Sequence, residues 1–304
     1  MFWSVEVRLL SDLIALPWAQ LIVNGLALGS LYALAAFGIV LIFKTTDVIT
    51  FAQGEMAMFC AFIAFTLITA LNLPFALAFV VTLIFAMVFG AVIERVVLRR
   101  VSATSIINPV IATVGLALIL LGVAGWLWGY EVRAFPAPVV GPPFRLSTVV
   151  LSQLNGLILG VVLLLMVLLF AFFRYSVTGI AMRAVAQNRL AAQLMGINVN
   201  RINAIGWGLG TALAAVTGIL IAPLNYLDPT MMGDVMLKAF AAAVLGGFTS
   251  MPGAVVGGLL LGIIDSIVGF QIPELRTTIA FLLIVLVLVV RPGGLLGTRA
   301  IKKV

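Results

Sequence analysis

Six polar or charged residues lie inside or at the edges of long apolar segments, where they could line a route for a polar solute. An ionised side chain inside a membrane is costly unless it is paired or hydrated, so it usually faces a cavity or a partner. The residues we predict to line such a route are Asn24, Gln53, Glu55, Asp234, Lys238 and Asp265. Asp234 and Lys238 are four residues apart, so on one helix they could instead form a structural ion pair near the membrane interface.

Glu55 belongs to the run Thr50-Phe51-Ala52-Gln53-Gly54-Glu55, in which Gly54 can break a helix. Two roles for the Glu55 carboxylate stay open at this point. It could contact a transported solute, or it could only hold the fold.

Several kinds of catalytic chemistry are excluded by residue type. The chain has no histidine and a single cysteine, Cys60. A transition-metal site and a histidine-based nucleophile pair are therefore not expected, and no intrachain disulfide can form. The sequence contains no phosphate-binding glycine loop with its lysine, so we expect no ATPase site and no bound cofactor.

The composition places these residues in a membrane protein. Of 304 residues, 64% are hydrophobic and 9% are charged, and the mean hydropathy is +1.30. Apolar runs long enough to cross a bilayer recur along the chain, which predicts an all-α polytopic fold of about nine spans (eight to ten). The spans are expected near residues 18–43, 48–71, 75–97, 106–124, 149–173, 202–222, 231–248, 253–270 and 277–290.

The distribution of basic residues predicts the orientation. The net charge of +7 clusters at loop ends rather than forming a nucleic-acid surface. If nine spans alternate, the run 95–100, the interval 174–201 and the C-terminal tail all lie on the cytoplasmic side, and the N-terminus lies outside. A re-entrant segment at 231–248 would place the tail on the opposite side from the interval. Residues 1–17 are expected to be a short amphipathic lead-in rather than a cleaved signal peptide.

The interval 174–201 carries four arginines and no acidic residue. It predicts one helix over 180–195, which has no Pro or Gly, closed by a left-handed cap at Gly196. At helical spacing, a stripe of mostly small residues is flanked by Arg183 and Arg189. It consists of Ala184, Asn188, Ala191, Ala192 and Met195. Such a stripe suits docking into another protein's groove, and the competing interpretation is a connector lying on lipid headgroups.

Three sequence matches in the same order predict an internal repeat. Gly25 and Gly29 correspond to Gly206 and Gly210, as helix-packing positions that allow close approach. Asp47-Val48 corresponds to Asp234-Val235, and the run 92–94 corresponds to 263–265. One span separates the two sets of four, so the halves would be inverted, as in many transporters.

The single transmembrane domain, 1–304, would then contain six parts. They are a first repeat (18–125), an extracytoplasmic loop (126–148), a central span (149–173), a cytoplasmic coupling loop (174–201), a second repeat (202–291) and a cytoplasmic tail (292–304).

The motifs across the chain resemble the branched-chain amino acid ABC transporter permease family. They are LALGSLYALAAFGIVL, FAQGE, RAVAQNRLAAQLMGINV, AAAVLGGFTSMPGAVVGG and VRPGGLLG. The run RAVAQNRLAAQLMGINV resembles the coupling loop of ABC importer permeases, with Ala191, Ala192 and Gly196 at the positions of the family signature. Leu190 stands where the general signature has Glu, and the Ile and Pro that follow in that signature are absent.

The resemblance implies a bacterial inner-membrane permease subunit without its own ATPase site. Its partners would be a second permease, two cytoplasmic ATPases that carry ATP and Mg²⁺, and a periplasmic binding protein delivering leucine, isoleucine or valine. Urea, amides or aromatic acids are alternative substrates, and a self-sufficient ion-coupled carrier or channel is the competing class; a membrane enzyme is disfavoured. The residues expected to couple to the ATPases are Arg183, Ala184, Asn188, Arg189, Ala191, Ala192 and Gly196.

Overall fold

The structure is a computed structural model that describes residues 18–101, 107–139, 141–146, 149–291 and 293–297. These residues form an all-α bundle with one small antiparallel hairpin, β1 (Phe144–Leu146) and β2 (Val149–Leu151). The helices are α1 (Trp18–Thr46), α2 (Gln53–Thr69), α3 (Phe75–Ile93), α4 (Ile107–Trp128), α5 (Gln153–Tyr175), α6 (Val177–Gln187), α7 (Arg189–Leu194), α8 (Val199–Asn225), α9 (Gly233–Gly246), α10 (Met251–Gln271) and α11 (Arg276–Val290). The α3 helix continues through a π-helical turn, Glu94–Leu98, to Val101.

Seven helices in the described part of the chain are long and apolar enough to cross a membrane. They are Trp18–Thr46, Phe75–Val101, Ile107–Trp128, Gln153–Tyr175, Val199–Asn225, Met251–Gln271 and Pro273–Val290. Two shorter helices, α2 with 17 residues and α9 with 14, occupy the places predicted for the second and seventh spans. The polytopic all-α fold is therefore confirmed, while a count of nine crossings stays a prediction.

Several predicted boundaries are wrong for local backbone reasons. The second span does not begin at Val48, because Asp47 has a positive φ of 57° and helix α2 starts only at Gln53. Gly54 therefore lies in the first turn of α2 and does not interrupt it. The fourth span runs to Trp128, so the long loop starts at Gly129, which has φ 79°.

The end of the sixth span differs from the prediction, and the predictions for the chain termini lie outside the described residues. The sixth span does not end at residue 222, where the next residue, Pro223, was expected to stop it, because α8 continues through Pro223 to Asn225. The lead-in 1–17 lies outside the described residues, as do residue 292 and residues 298–304 of the tail.

The bundle has two ends, which we name by the features they carry. The hairpin end holds β1–β2, where Gln20 Nε2 donates to Val150 O at 2.8 Å. The loop-helix end holds α6 and α7, and Arg99 Nη2 donates to Asn200 O there at 3.0 Å. The backbone amide of Leu295 donates to Leu245 O at 2.8 Å, which holds the start of the tail against the end of α9.

Helices α1 and α8 form the buried centre, and glycine lets their neighbours approach the backbone. A Cβ at Gly25 would lie 2.6 Å from Ile263 Cα, and one at Gly29 would lie 2.9 Å from Gly258 O. A Cβ at Gly210 would lie 3.2 Å from Gly38 O. Both surfaces of α1 are thus in near-backbone contact, one with α10 and the other with α8.

The packing of the outer helices is reciprocal between the two halves. Helix α1, the first helix of one half, packs on α10, while α8, the first of the other half, packs on α3. Where α8 crosses α3, a Cβ at Gly208 would lie 2.7 Å from Met87 O. An inverted repeat would place the first helix of each half against the third helix of the other half, as observed. The repeat itself stays a prediction.

We expect Gly29→Val to destabilise the protein by about 1–3 kcal/mol, because the added side chain meets the α10 backbone and cannot be relieved by a rotamer change. Gly122→Val, on α4, is the matched control, since a Cβ there has nothing within 4 Å. Thermal unfolding of the purified protein in detergent measures the difference. Equal midpoints for the two variants would contradict the close crossing.

Candidate functional site

The loop interval folds as two short helices instead of the one predicted. Asn188 leaves the helical region at φ −155°, and its Oδ1 accepts a hydrogen bond from Ala191 N at 2.9 Å. Asn favours such a cap because its side chain replaces a missing backbone partner at the start of a helix. The prediction of a continuous helix over 180–195 is therefore wrong, and α7 starts anew after α6.

The end of α7 is the left-handed cap that the sequence predicts. Gly196 has φ +83°, its amide donates to Gln193 O at 2.9 Å, and the Ile197 amide donates to Ala192 O at 3.0 Å. This pair of hydrogen bonds is a Schellman motif. A Cβ at Gly196 would meet nothing within 4 Å, so only the backbone conformation demands glycine.

The exposed surface of the loop helices differs from the predicted alanine stripe. Ala192 is buried and Ala184 is half-buried, because the break at Asn188 turns α7 relative to α6. The side chains that project outwards are apolar and large: Leu190, Leu194 and Met195 are 67%, 80% and 83% exposed. We call these three residues the loop-helix patch. Arg183, Asn188 and Ala191 are also exposed at this end.

Arg189 points back to the bundle rather than only outwards. With the Asn203 amide oriented to satisfy both of its neighbours, Arg189 Nη2 donates to Asn203 Oδ1 at 2.8 Å, and Asn203 Nδ2 donates to Thr45 O at 2.8 Å. This chain of hydrogen bonds links α7 to α8 and to the end of α1. Nothing in the local sequence around Asn203 or Thr45 marks this tertiary contact.

A second polar link at this end depends on the π-helical turn. Arg99 Nη2 lies 2.7 Å from Glu94 Oε2, and the same nitrogen donates to Asn200 O. Glu94 and Arg99 are five residues apart, a spacing that the wider π-helical turn brings onto one face. The i+3 and i+4 rule for an α-helix does not reveal this pair.

Midway along α1, four charges lie in a line that we call the charge row. Arg276 Nε is 3.5 Å from Asp265 Oδ1, Asp265 Oδ1 is 3.1 Å from Lys238 Nζ, and Lys238 Nζ is 2.7 Å from Asp234 Oδ2. Helices α9, α10 and α11 supply these residues. The ion pair expected between Asp234 and Lys238 therefore forms, and Asp265 extends it.

Hydroxyl groups complete the charge row. Tyr32 Oη on α1 donates to Asp265 Oδ2 at 3.1 Å, and Thr277 Oγ1 donates to Asp234 Oδ1 at 3.0 Å. The Lys238 ammonium also lies 5.7 Å from the centroid of the Tyr32 ring. Sequence reasoning missed Tyr32, Arg276 and Thr277. The only available signal was the position of the latter two at the start of an apolar helix.

The other three residues predicted for a solute route lie elsewhere. Asn24 Oδ1 accepts a hydrogen bond from Gln20 Nε2 at 3.1 Å near the hairpin. Gln53 is fully buried against α1, where its Nε2 donates to Ala35 O at 3.3 Å. Glu55 is half-buried in the first turn of α2, and its Oε2 has no hydrogen-bond partner among the described residues. The six candidates thus do not form one site.

We expect Lys238→Met to lower stability by about 3–5 kcal/mol, because it leaves the buried Asp265 carboxylate without its nearest cation. The double variant Lys238→Met/Asp265→Asn should recover part of that loss, since the unpaired charge is then also removed. Unfolding midpoints of the purified protein in detergent measure both effects. A single variant as stable as the native chain would show that the Lys238–Asp265 contact does not matter.

Comparison with known proteins gives one consistent family. The family model for the branched-chain amino acid transport system permease component matches residues 21–290. The chain is 34% identical to the high-affinity branched-chain amino acid transport system permease protein LivH of Escherichia coli K12, over 95% of this chain and 98% of that protein. It is 35% identical to the corresponding protein BraD of Pseudomonas aeruginosa, over 94% and 98%. The chain therefore belongs to the branched-chain amino acid transport system permease family.

Proposed function

We propose that this protein is the membrane-spanning permease subunit of an ATP-binding-cassette importer for branched-chain amino acids. The observation that carries the proposal is the family match over residues 21–290, together with relatives that are named as permeases of that transport system. The chain acts as a transport subunit, not as an enzyme. ATP and Mg²⁺ belong to partner subunits, and this chain binds no cofactor.

The loop-helix end supports an attachment site for a cytoplasmic ATPase. The importer would have two ATPases, and each would bind one permease of a pair. Leu190, Leu194 and Met195 offer an apolar surface of the kind that a groove in a partner covers. The hydrogen bonds from Arg189 through Asn203 to Thr45 connect this surface to α8 and α1. A displacement of α7 would therefore act directly on the two most central helices, as alternating access requires.

The remaining partners and the orientation follow from the same assignment. The second permease is a paralogue, and a periplasmic binding protein delivers the solute at the hairpin end. The subunit crosses the bacterial inner membrane with its N-terminus outside and its C-terminus in the cytoplasm. Arg95, Arg100 and Arg183 are exposed at the loop-helix end, in keeping with a cytoplasmic location for that end.

One structural feature favours a second candidate, a carrier driven by an ion gradient. Ionisable groups buried within a membrane segment commonly mark proton or ion routes, and the charge row contains Asp265 and Lys238 in such positions. A carrier of this kind would work without ATPases, and the patch on α7 would then have no partner.

Reconstitution in proteoliposomes separates the two candidates. The permease pair, ATPases and binding protein should take up leucine only when ATP is supplied on the ATPase side, and the permeases without ATPases should show no uptake in a proton or sodium gradient. Gradient-driven uptake by the permeases without ATPases would establish the carrier instead. Uptake of urea or an aromatic acid in place of leucine would leave the importer intact and change its substrate.

We expect Gly196→Val to lower leucine uptake per ATP hydrolysed several-fold while the complex still assembles. A β-branched residue is strained at φ +83°, so the end of α7 must rearrange. Gly196→Asn is the matched control, because Asn tolerates the left-handed conformation and should keep most of the coupling. Uptake and ATP hydrolysis are measured on the same vesicles. Native coupling in the Val variant would exclude a coupling role for this cap.

A further inference from the structure

The charge row is open at both ends, and the two ends have opposite sign. The inner members, Asp265 and Lys238, each have side chains only 4% exposed. The outer members are accessible: the Arg276 side chain is 39% exposed and that of Asp234 is 52% exposed. The row thus presents a guanidinium at one end and a carboxylate at the other.

The contacts already made leave hydrogen-bonding capacity at both ends. Arg276 Nε lies 3.5 Å from Asp265 Oδ1, and this nitrogen makes no contact with hydrogen-bond geometry in the described part of the chain. Asp234 accepts from Lys238 and Thr277, while a carboxylate can accept about four hydrogen bonds. The guanidinium lies over Gly269, where a Cβ would be 2.6 Å from its central carbon, so glycine makes room for it.

An apolar cleft adjoins the charged end at Arg276. It lies between α10 and α11 and also includes Asp265 in its lining. Helix α11 lies at the edge of the bundle, and Ala280 is its only buried residue. The cleft is narrow, so an occupant requires α11 to move outwards. The aliphatic residues of its walls are Leu261, Ile264, Val268, Ile279, Ala280 and Leu283.

We propose that the charge row and this cleft form a subsite for an aliphatic α-amino acid in its zwitterionic form. The substrate carboxylate pairs with Arg276, its ammonium pairs with Asp234, and its side chain enters the cleft. This inference rests on the proposed function and adds the residues that meet the cargo inside the bundle.

Charge balance explains why a zwitterion suits this row. The row has two positive and two negative groups, and buried charges are tolerated only when they are paired. A zwitterion adds one charge of each sign, so the site stays neutral and both open ends gain a partner. An aliphatic amine or carboxylic acid adds one sign only. A guanidinium binds carboxylate through two parallel hydrogen bonds, which adds directional preference.

The test uses the complete complex in lipid nanodiscs, without nucleotide, and a leucine analogue that carries a diazirine in its side chain. Photolysis should label residues within 261–283, and excess leucine should suppress the labelling. Isoamylamine and 4-methylpentanoate, which each carry one of the two charges, should not compete at equal concentration.

Arg276→Gln and Asp234→Asn should each lower the labelling about tenfold, the loss expected when a charged hydrogen-bonding partner is removed. Glu274→Gln is the control, because Glu274 is an exposed acidic residue in the turn next to Arg276 and is outside the row. Labelling is normalised to assembled complex, so a purely structural role, which lowers yield but not labelling per complex, overturns the proposal.

Three other results also overturn the proposed subsite. They are labelling outside residues 261–283, no labelling while ATP-driven leucine uptake continues, and competition by isoamylamine or 4-methylpentanoate that equals that of leucine. Absence of any ATP-driven leucine uptake by the native complex is a different failure, because it rejects the proposed function itself.

Discussion

The near-backbone contact of α1 with α8 and α10 is the constraint on which the rest of the structure depends. Glycines at these crossings leave no room for side chains, so the three helices are fixed in register by their main chains. Gln53 is held in the α1–α8 crossing, where Gly38 has no side chain to obstruct it. The register also sets Thr45 opposite Asn203 and Tyr32 opposite Asp265. Both polar regions of the protein therefore depend on the same central packing.

The middle of the bundle and its loop-helix end use polarity differently. In the charge row, charges are paired below the surface, and only Asp234 and Arg276 keep substantial exposure. At the loop-helix end, an apolar patch projects outwards from α7 while Arg189 anchors that helix inwards. Exposed leucines on a short, capped helix suit an apolar protein contact, whereas accessible charges of opposite sign suit a polar solute. This contrast is consistent with an ATPase contact at the loop-helix end and a solute route through the middle of the bundle, as proposed above.

The features predicted from sequence are those that local rules govern. Helix-forming apolar runs, the left-handed Gly196 and the i, i+4 pair of Asp234 with Lys238 follow from composition, backbone sterics and helical spacing. The break at Asn188 was missed because an Asn can either continue a helix or cap a new one, and tertiary packing decides between them. The predicted stripe therefore included Met195 but relied on alanines where Leu190 and Leu194 project outwards. Arg276 and Asn203 act only through distant partners, which no local pattern specifies.

We propose above that α7 contacts a separate ATPase subunit at the loop-helix end. A photo-crosslinking amino acid placed at Leu194 in the assembled complex tests it most directly, with Tyr130, which is 67% exposed near the hairpin, as the comparison position. Our account predicts a covalent adduct between the permease and an ATPase subunit from Leu194 and none from Tyr130. An ATPase adduct from Tyr130, or none from Leu194 in a complex that hydrolyses ATP and takes up leucine, would contradict it.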